Sequence, residues 1–258
     1  MNLERHLRAR RESGRKLLVP YVTGGLGSQW VDVVRAVIDS GADAVEIGIP
    51  FSDPIMDGRT IQEASQRALD LGATPVSVLD ELGTLDAPVP LVVMTYYNLV
   101  ARAGHERFAR DLRTAGVDAA ILPDLPLDEL DGWSDAAQAA EVETVLLAAP
   151  TTTDERLRAI CQHSRGFVYG VSLLGVTGER EQLAAHAEQM GRRLKAVTDM
   201  PVLLGVGIST PAQAAQAASS CDGVIVGSAL VRRLLDGGGP DEARAFVAAL
   251  REALDAAG

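Results

Sequence analysis

The chain has 258 residues, 47% of them hydrophobic, which is ample for a large core, and no Pro/Ser-rich linker divides it, so a single domain over 1–258 is expected. A net charge of −11 argues against nucleic acid or an anionic membrane as the main partner, while small anions stay open because backbone amides bind phosphate without lysine. The two cysteines, Cys161 and Cys221, are too few and too unpatterned for a disulfide framework or zinc site, and no apolar run reaches the roughly 18 residues of a membrane span, so a cytoplasmic setting is expected.

Along the chain, Asn2 to Lys16 sets Leu3 and Leu7 at helical spacing among arginines, with Glu4 and Glu12, and reads as a surface helix rather than a targeting peptide. Leu17 to Thr23 reads as a strand. Gly24-Gly25 turn it towards a helix with Ser28 as N-cap, Val33, Val34, Val37 and Ile38 as its apolar stripe, and Gly41 as its stop. The next run, Ala44 to Ile49, holds Glu46 among apolar neighbours and breaks into a Pro- and Gly-punctuated loop that ends on Asp57-Gly58. Two acids on a strand and its following loop suggest catalysis; an ion pair to Glu46 and a turn braced by Asp57 account for the same residues.

The same grammar recurs at Pro90 to Tyr96, Ala119 to Pro123, Glu143 to Ala149, Gly166 to Ser172, Pro201 to Gly207 and Gly223 to Gly227. Helices are expected between them, including Phe108 to Leu112, Arg156 to His163 opened by Thr153, Gln182 to Val197, one begun by Thr210-Pro211, and Asp241 to Ala256. Strands with no polar face are buried on both sides, and eight strand-helix units in this length predict a single (β/α)8 TIM barrel with an extra N-terminal helix. A doubly wound open sheet is the second choice.

In such a barrel the reactive groups lie at the carboxyl ends of strands. Glu46, Asp57, Tyr96, Asp124, Tyr169, Ser172, Thr177, Gly207 and Ser228 fall there. Core packing explains Tyr96 and Tyr169 equally well, and Asp124 between two prolines reads first as a loop brace. Gly205 to Ser209 and Val226 to Ala229 would let backbone approach a ligand, and a short helix starting near Ser228 would aim N–H groups at an anion. The two lysines, Lys16 and Lys195, sit before the first strand and on the sixth helix, which disfavours a Schiff-base aldolase; the four histidines lie on helices or helix starts, so no metal is expected. Proton transfer by carboxylates on a phosphorylated small molecule remains.

The segment Glu46 to Pro54 with Asp57-Gly58, followed by Tyr96-Tyr97-Asn98, Gly166 to Tyr169, Gly175 to Gly178, Gly205 to Ile208 and Gly227-Ser228, resembles the tryptophan synthase α-subunit family over essentially the whole chain. The resemblance implies a lyase that cleaves indole-3-glycerol phosphate to indole and glyceraldehyde 3-phosphate and passes indole to a β subunit within a heterotetramer. It implies no cofactor in this chain, pyridoxal phosphate belonging to the β partner. It implies Glu46 as proton shuttle, Asp57 as ionised partner of the indole N–H and Tyr169 beside them. Tyr21 and Tyr96 would line the substrate; Gly178, Gly207, Gly227 and Ser228 would bind phosphate; Thr177 would meet the aspartate on closure; Asp53 and Pro54 would face the β subunit. Arg59 stands where the family usually has proline, and Leu173-Leu174 where many members begin with a polar or basic residue, which puts the coupling in question more than the chemistry. A freestanding lyase supplying indole to another pathway is the alternative, and retention of both acids argues against a purely regulatory subunit.

Overall fold

A computed structural model describes residues 1–171, 180–205 and 207–257, with no side-chain description for 180–186. The chain runs α1 (Leu3–Glu12), β1 (Leu17–Thr23), α2 (Trp30–Asp39), β2 (Val45–Gly48), α3 (Arg59–Asp70), α4 (Pro75–Leu82), β3 (Leu91–Met94), α5 (Tyr97–Ala103), α6 (His105–Thr114) and β4 (Ala119–Ile121). A 3-10 turn at Leu127–Glu129 then leads to α7 (Asp131–Ala139), β5 (Glu143–Ala148), α8 (Asp154–His163), β6 (Val168–Val171), α9 (Arg180–Lys195), β7 (Val202–Gly205), α10 (Pro211–Ala218), β8 (Gly223–Val226), α11 (Ser228–Leu235) and α12 (Pro240–Asp255). The strands form a closed parallel barrel in sequence order, β8 pairing back onto β1 through Leu17↔Gly223 to Pro20↔Val226. The closed barrel, not the open sheet, is the fold.

Side chains alternate along each strand. Leu18, Val22, Val45, Ile47, Val93 and Val168 face outward into a continuous core with the helices, Val33, Val34, Phe246 and Val247 among them. Leu17, Val19, Ala44, Val92, Ile121, Val145, Phe167, Leu203 and Ile225 face inward and fill the barrel. The inner face of a strand thus climbs from apolar to reactive in two-residue steps: Val19 then Tyr21, Ala44 then Glu46, Phe167 then Tyr169. Gly223 permits closure, since a Cβ there would fall 2.3 Å from the Leu17 carbonyl oxygen.

α1 is not simply a surface helix. Asn2 caps it by accepting the Arg5 N–H, and its fully buried Leu3 and Leu7 join the inner cluster, so one face closes the barrel floor. The acids and arginines expected to face solvent do so only on the other face. Around that floor, every second strand is preceded by a side chain that accepts an N–H from the strand before it. Asp43 takes Leu18 N–H (2.9 Å), Asp118 takes Leu91 (3.2 Å), Ser164 takes Leu146 (3.1 Å) and Asp222 takes Val202 (2.8 Å). Asp43 is fully buried and also meets Arg15 at 2.8 Å and Arg251 at 3.3 Å.

Other boundaries move by one to three residues, the largest at α6, which begins at His105 rather than Phe108. The N-cap of α2 is Gln29 rather than Ser28 and makes no side-chain cap bond. Thr153 and Thr210 do cap α8 and α10, with Pro211 at the first turn of α10.

Candidate active site

The carboxyl ends of the strands surround a cavity of about 490 Å³. Tyr21, Glu46, Asp57 and Tyr169 line it, with Gly205, Gly207, Gly227 and Ser228 also on its wall. Apolar walls come from Met56, Ile61, Met94, Pro123, Leu147, Ala149, Ile208 and Ile225, none of which was singled out from sequence. Their signal is positional: Met94, Leu147 and Ile225 occupy inward positions at or near the tops of their strands.

Glu46 pairs in register with Tyr21 on β1 and Val92 on β3. Only 1% of its surface is exposed, and among the described residues its Oε2 has no hydrogen-bond partner. No cation holds it, which rules out the structural ion pair within the described part of the chain. Burial, then the nearby Asp57 charge, push its carboxyl up to about 8. Asp57 is raised to about 6 by burial, against which the Tyr96 hydroxyl donates to its Oδ2 at 3.0 Å and favours the carboxylate. At neutral pH one acid is therefore mostly protonated and the other mostly ionised. That is the separation a proton donor and an anionic stabiliser need.

The two inward tyrosines lie across neighbouring glycines. A Cβ on Gly48 would fall 1.8 Å from the Tyr21 Oη, and one on Gly205 would fall 2.6 Å from the Tyr169 Oη and Cε2. Each phenol occupies the space that a side chain on the adjacent strand would take. Burial first, then the charges of Asp57 and Glu46 for Tyr21 and of Glu46 for Tyr169, hold both phenols protonated well above the usual range.

One strand away from Glu46, across β1, α11 begins at Ser228 with Gly227 as its N-cap. The N–H groups of Leu230 and Val231 both bond the Gly227 carbonyl, which leaves those of Ser228 and Ala229 at the mouth, with the positive end of the helix dipole. Gly207, at φ 71°, holds a left-handed turn beside it. An anion fits there.

Tyr96 is placed differently from Tyr21 and Tyr169. It is buried but absent from the described lining of the cavity, and its hydroxyl donates to Asp57. Asp53 is exposed and accepts from the Ser52 hydroxyl at 2.6 Å, with the half-buried Pro54 beside it on the same loop. Arg59 is exposed at the first position of α3. Asp124 does brace a loop, accepting the Tyr97 N–H at 2.8 Å. Thr177 and Gly178, with Ser172 to Gly175, lie outside the described residues.

Lys16 and Lys195 stand at the opposite end of the barrel, bound to the Cys221 carbonyl and to Asp222 ahead of β8. Neither reaches the cavity.

A family profile described as tryptophan synthase alpha chain matches residues 7–256. The chain is 43% identical to the tryptophan synthase alpha chain of Thermobifida fusca, over 99% of this chain and 98% of that one. It is 43% identical to that of Streptomyces coelicolor, over 92% of this chain and 88% of the relative. Among solved structures, Mycobacterium tuberculosis tryptophan synthase in space group F222 superposes with a TM-score of 0.90 at 41% identity, covering 98% of this chain and 97% of that one. The alpha subunit from Legionella pneumophila gives 0.90 at 34% identity, covering 99% of each. With a closed barrel, two acids at its mouth and relatives spanning both chains nearly end to end, this protein belongs to the tryptophan synthase alpha chain family.

Proposed function

We propose that Glu46 and Asp57 carry the lyase reaction of this family in the present chain: cleavage of indole-3-glycerol phosphate to indole and glyceraldehyde 3-phosphate. The observation that carries the reading is the pair itself, a buried carboxyl without a partner among the described residues and a second carboxylate on the same cavity.

The chemistry follows from where electrons must go. Cleaving the bond between indole C3 and the glycerol chain leaves its electrons on C3, and a proton added at C3 first turns the ring into the sink. Glu46, mostly protonated at neutral pH, supplies that proton. The adjacent hydroxyl then loses its proton to the resulting Glu46 carboxylate as the aldehyde forms, so one group donates and regains one proton per turnover. Asp57 accepts the indole N–H and offsets the positive charge that develops on the protonated ring. Tyr21 and Tyr169 flank the acids and hold the ring, while Gly207, Gly227 and Ser228 take the phosphate by backbone N–H and the dipole of α11. By the family resemblance alone, Thr177 is assigned to meeting Asp57 on closure and Gly178 to binding the phosphate.

The chain acts as one domain, in the cytoplasm, with a β subunit in a heterotetramer. Asp53, Pro54 and the 77%-exposed Ile55 face that partner, and pyridoxal phosphate resides there. The relatives named above are all tryptophan synthase chains, which supports the coupled reading. Among the described residues no helix is long and apolar enough to cross a membrane. Indole release by the purified chain, measured with and without a tryptophan synthase β subunit, tests the assignment. Slow release alone and faster release on adding the partner are expected; full turnover without it would make the chain freestanding, and no turnover in either mixture would remove the enzyme reading.

A further inference from the structure

Tyr96 does not line the cavity among the described residues, yet its hydroxyl makes two hydrogen bonds, both to the loop that bears the second acid. It donates to Asp57 Oδ2 at 3.0 Å and accepts the Met56 N–H at 3.0 Å. Its ring stacks on Phe51 with centroids 5.0 Å apart and 24° between planes. Phe51, Met56 and Asp57 belong to the connection from β2 to α3, whereas Tyr96 follows β3. One side chain from the neighbouring strand thus grips the start of the loop by its ring and the end of the loop by its hydroxyl.

We propose that Tyr96 is a positioning residue, whose hydroxyl latches the Asp57 loop to the end of β3 and fixes the Asp57 carboxylate in the cavity that Glu46 also lines. This deepens the lyase reading and rests on it. A phenol has one proton to give and two lone pairs. Met56 N–H occupies a lone pair and fixes the oxygen, and the remaining proton points to Asp57. The latch is itself anchored, because the Thr95 N–H bonds the Ile121 carbonyl on β4 and the Tyr97 N–H bonds Asp124, holding Tyr96 between two ties to the next strand and its loop. Without the hydroxyl, the Asp57 loop retains the bonds it makes to itself and to Gln62, which accept no direction from the barrel wall: Asp57 N–H to the Pro54 carbonyl, and Gln62 to the carbonyls of Pro54 and Asp57.

The latch acts on ionisation as well as place, since a donor to Oδ2 favours the carboxylate against burial. Among the described residues, the groups facing Asp57 are Glu46 from β2, Tyr21 from β1, Tyr169 from β6 and Tyr96 itself, with Asp124 beyond Tyr96. Glu46 and the three phenols stay protonated through the range in which Asp57 titrates, so the acid limb of activity reports Asp57.

Tyr96→Phe keeps the ring and removes the proton. In the complex with the β subunit, kcat for indole-3-glycerol phosphate cleavage should fall on the order of 10- to 100-fold with KM within about threefold, as for a misplaced reacting group. The acid limb should rise by about one pH unit. A ¹³C NMR titration of the Asp57 side-chain carboxyl, without substrate, should show the same rise. Phe51→Leu removes the stack and keeps the hydroxyl, and its acid limb should stay at the wild-type pH. Four results would overturn the latch: an unmoved limb and titration in Y96F, a loss confined to KM, an equal shift in F51L, or a Y96F chain that does not fold, which would make the hydroxyl a support of the fold. If the wild-type complex releases no indole, the lyase reading fails, while the carboxyl titration still decides the latch.

Discussion

Glu46 was legible because a carboxylate inside an apolar run has few bland explanations, and the barrel removes the main one by supplying no cation among its described neighbours. Its pH linkage is checkable apart from catalysis. The folded chain holds the Glu46 proton up to about 8, against a usual 4.5, and the Asp57 proton up to about 6, against 3.8. Folded protein therefore binds protons more tightly than unfolded chain, so this stability is full below the usual carboxylate range and is lost as pH rises through about 8. Glu46→Gln should remove most of that loss and be more stable than wild type by a few kcal/mol above pH 8 in urea unfolding; parallel stability curves from pH 5 to 9 would contradict the burial account. Less legible were Gly48 and Gly205. A glycine in a strand signals close approach, but that Tyr21 and Tyr169 lean across them depends on the neighbouring strand, which no single segment reveals. Tyr96 was read from its place at a strand end, and the loop its hydroxyl meets was not legible, because sequence does not show which connection lies beside it.

At the scale of elements, the strand-helix alternation was readable because buried strands and amphipathic helices have different apolar periods. The apolar runs outlast the hydrogen-bonded ladders by a residue or more, as at Pro90 and Tyr96 around β3, so strand ends were set too wide. α3 escaped notice because its buried face is mostly small, with Ala64, Ser65 and Ala68 beside Ile61. α1 was misread in its destination: Leu3 and Leu7 mark one apolar face, and nothing local says that it closes a barrel. The floor it covers serves stability. Removing Asp43 would strip Leu18 N–H, Arg15 and Arg251 of a buried acceptor at once. Asp43→Ala should cost about 3–5 kcal/mol, the range for breaking a buried ion pair by removing one partner. Indole release per folded molecule should stay near wild type, since the site lies at the other end. Urea unfolding with an activity assay checks both, and a stable Asp43→Ala chain with impaired turnover would reverse the division between the two ends.

The molecule as a whole separates its tasks along the barrel axis, with the lysines and the strand-capping aspartates at the floor and Glu46, which has no cation among the described residues, at the mouth. That polarity was readable from strand direction and loop position. Closure was not, because the Leu17↔Gly223 pairing joins the first and last strands, and Gly223 reveals the close approach only once both are side by side. The central claim is that two carboxyls kept apart in ionisation run one cleavage at this mouth. It is tested most directly by the rate of indole-3-glycerol phosphate cleavage in the complex with the β subunit from pH 5 to 9, for wild type and Glu46→Gln. Wild type should give a bell with limbs near 6 and 8, and Glu46→Gln should be slower by on the order of 10²- to 10⁴-fold at the optimum. A flat wild-type profile, or a Glu46→Gln rate equal to wild type, would contradict it.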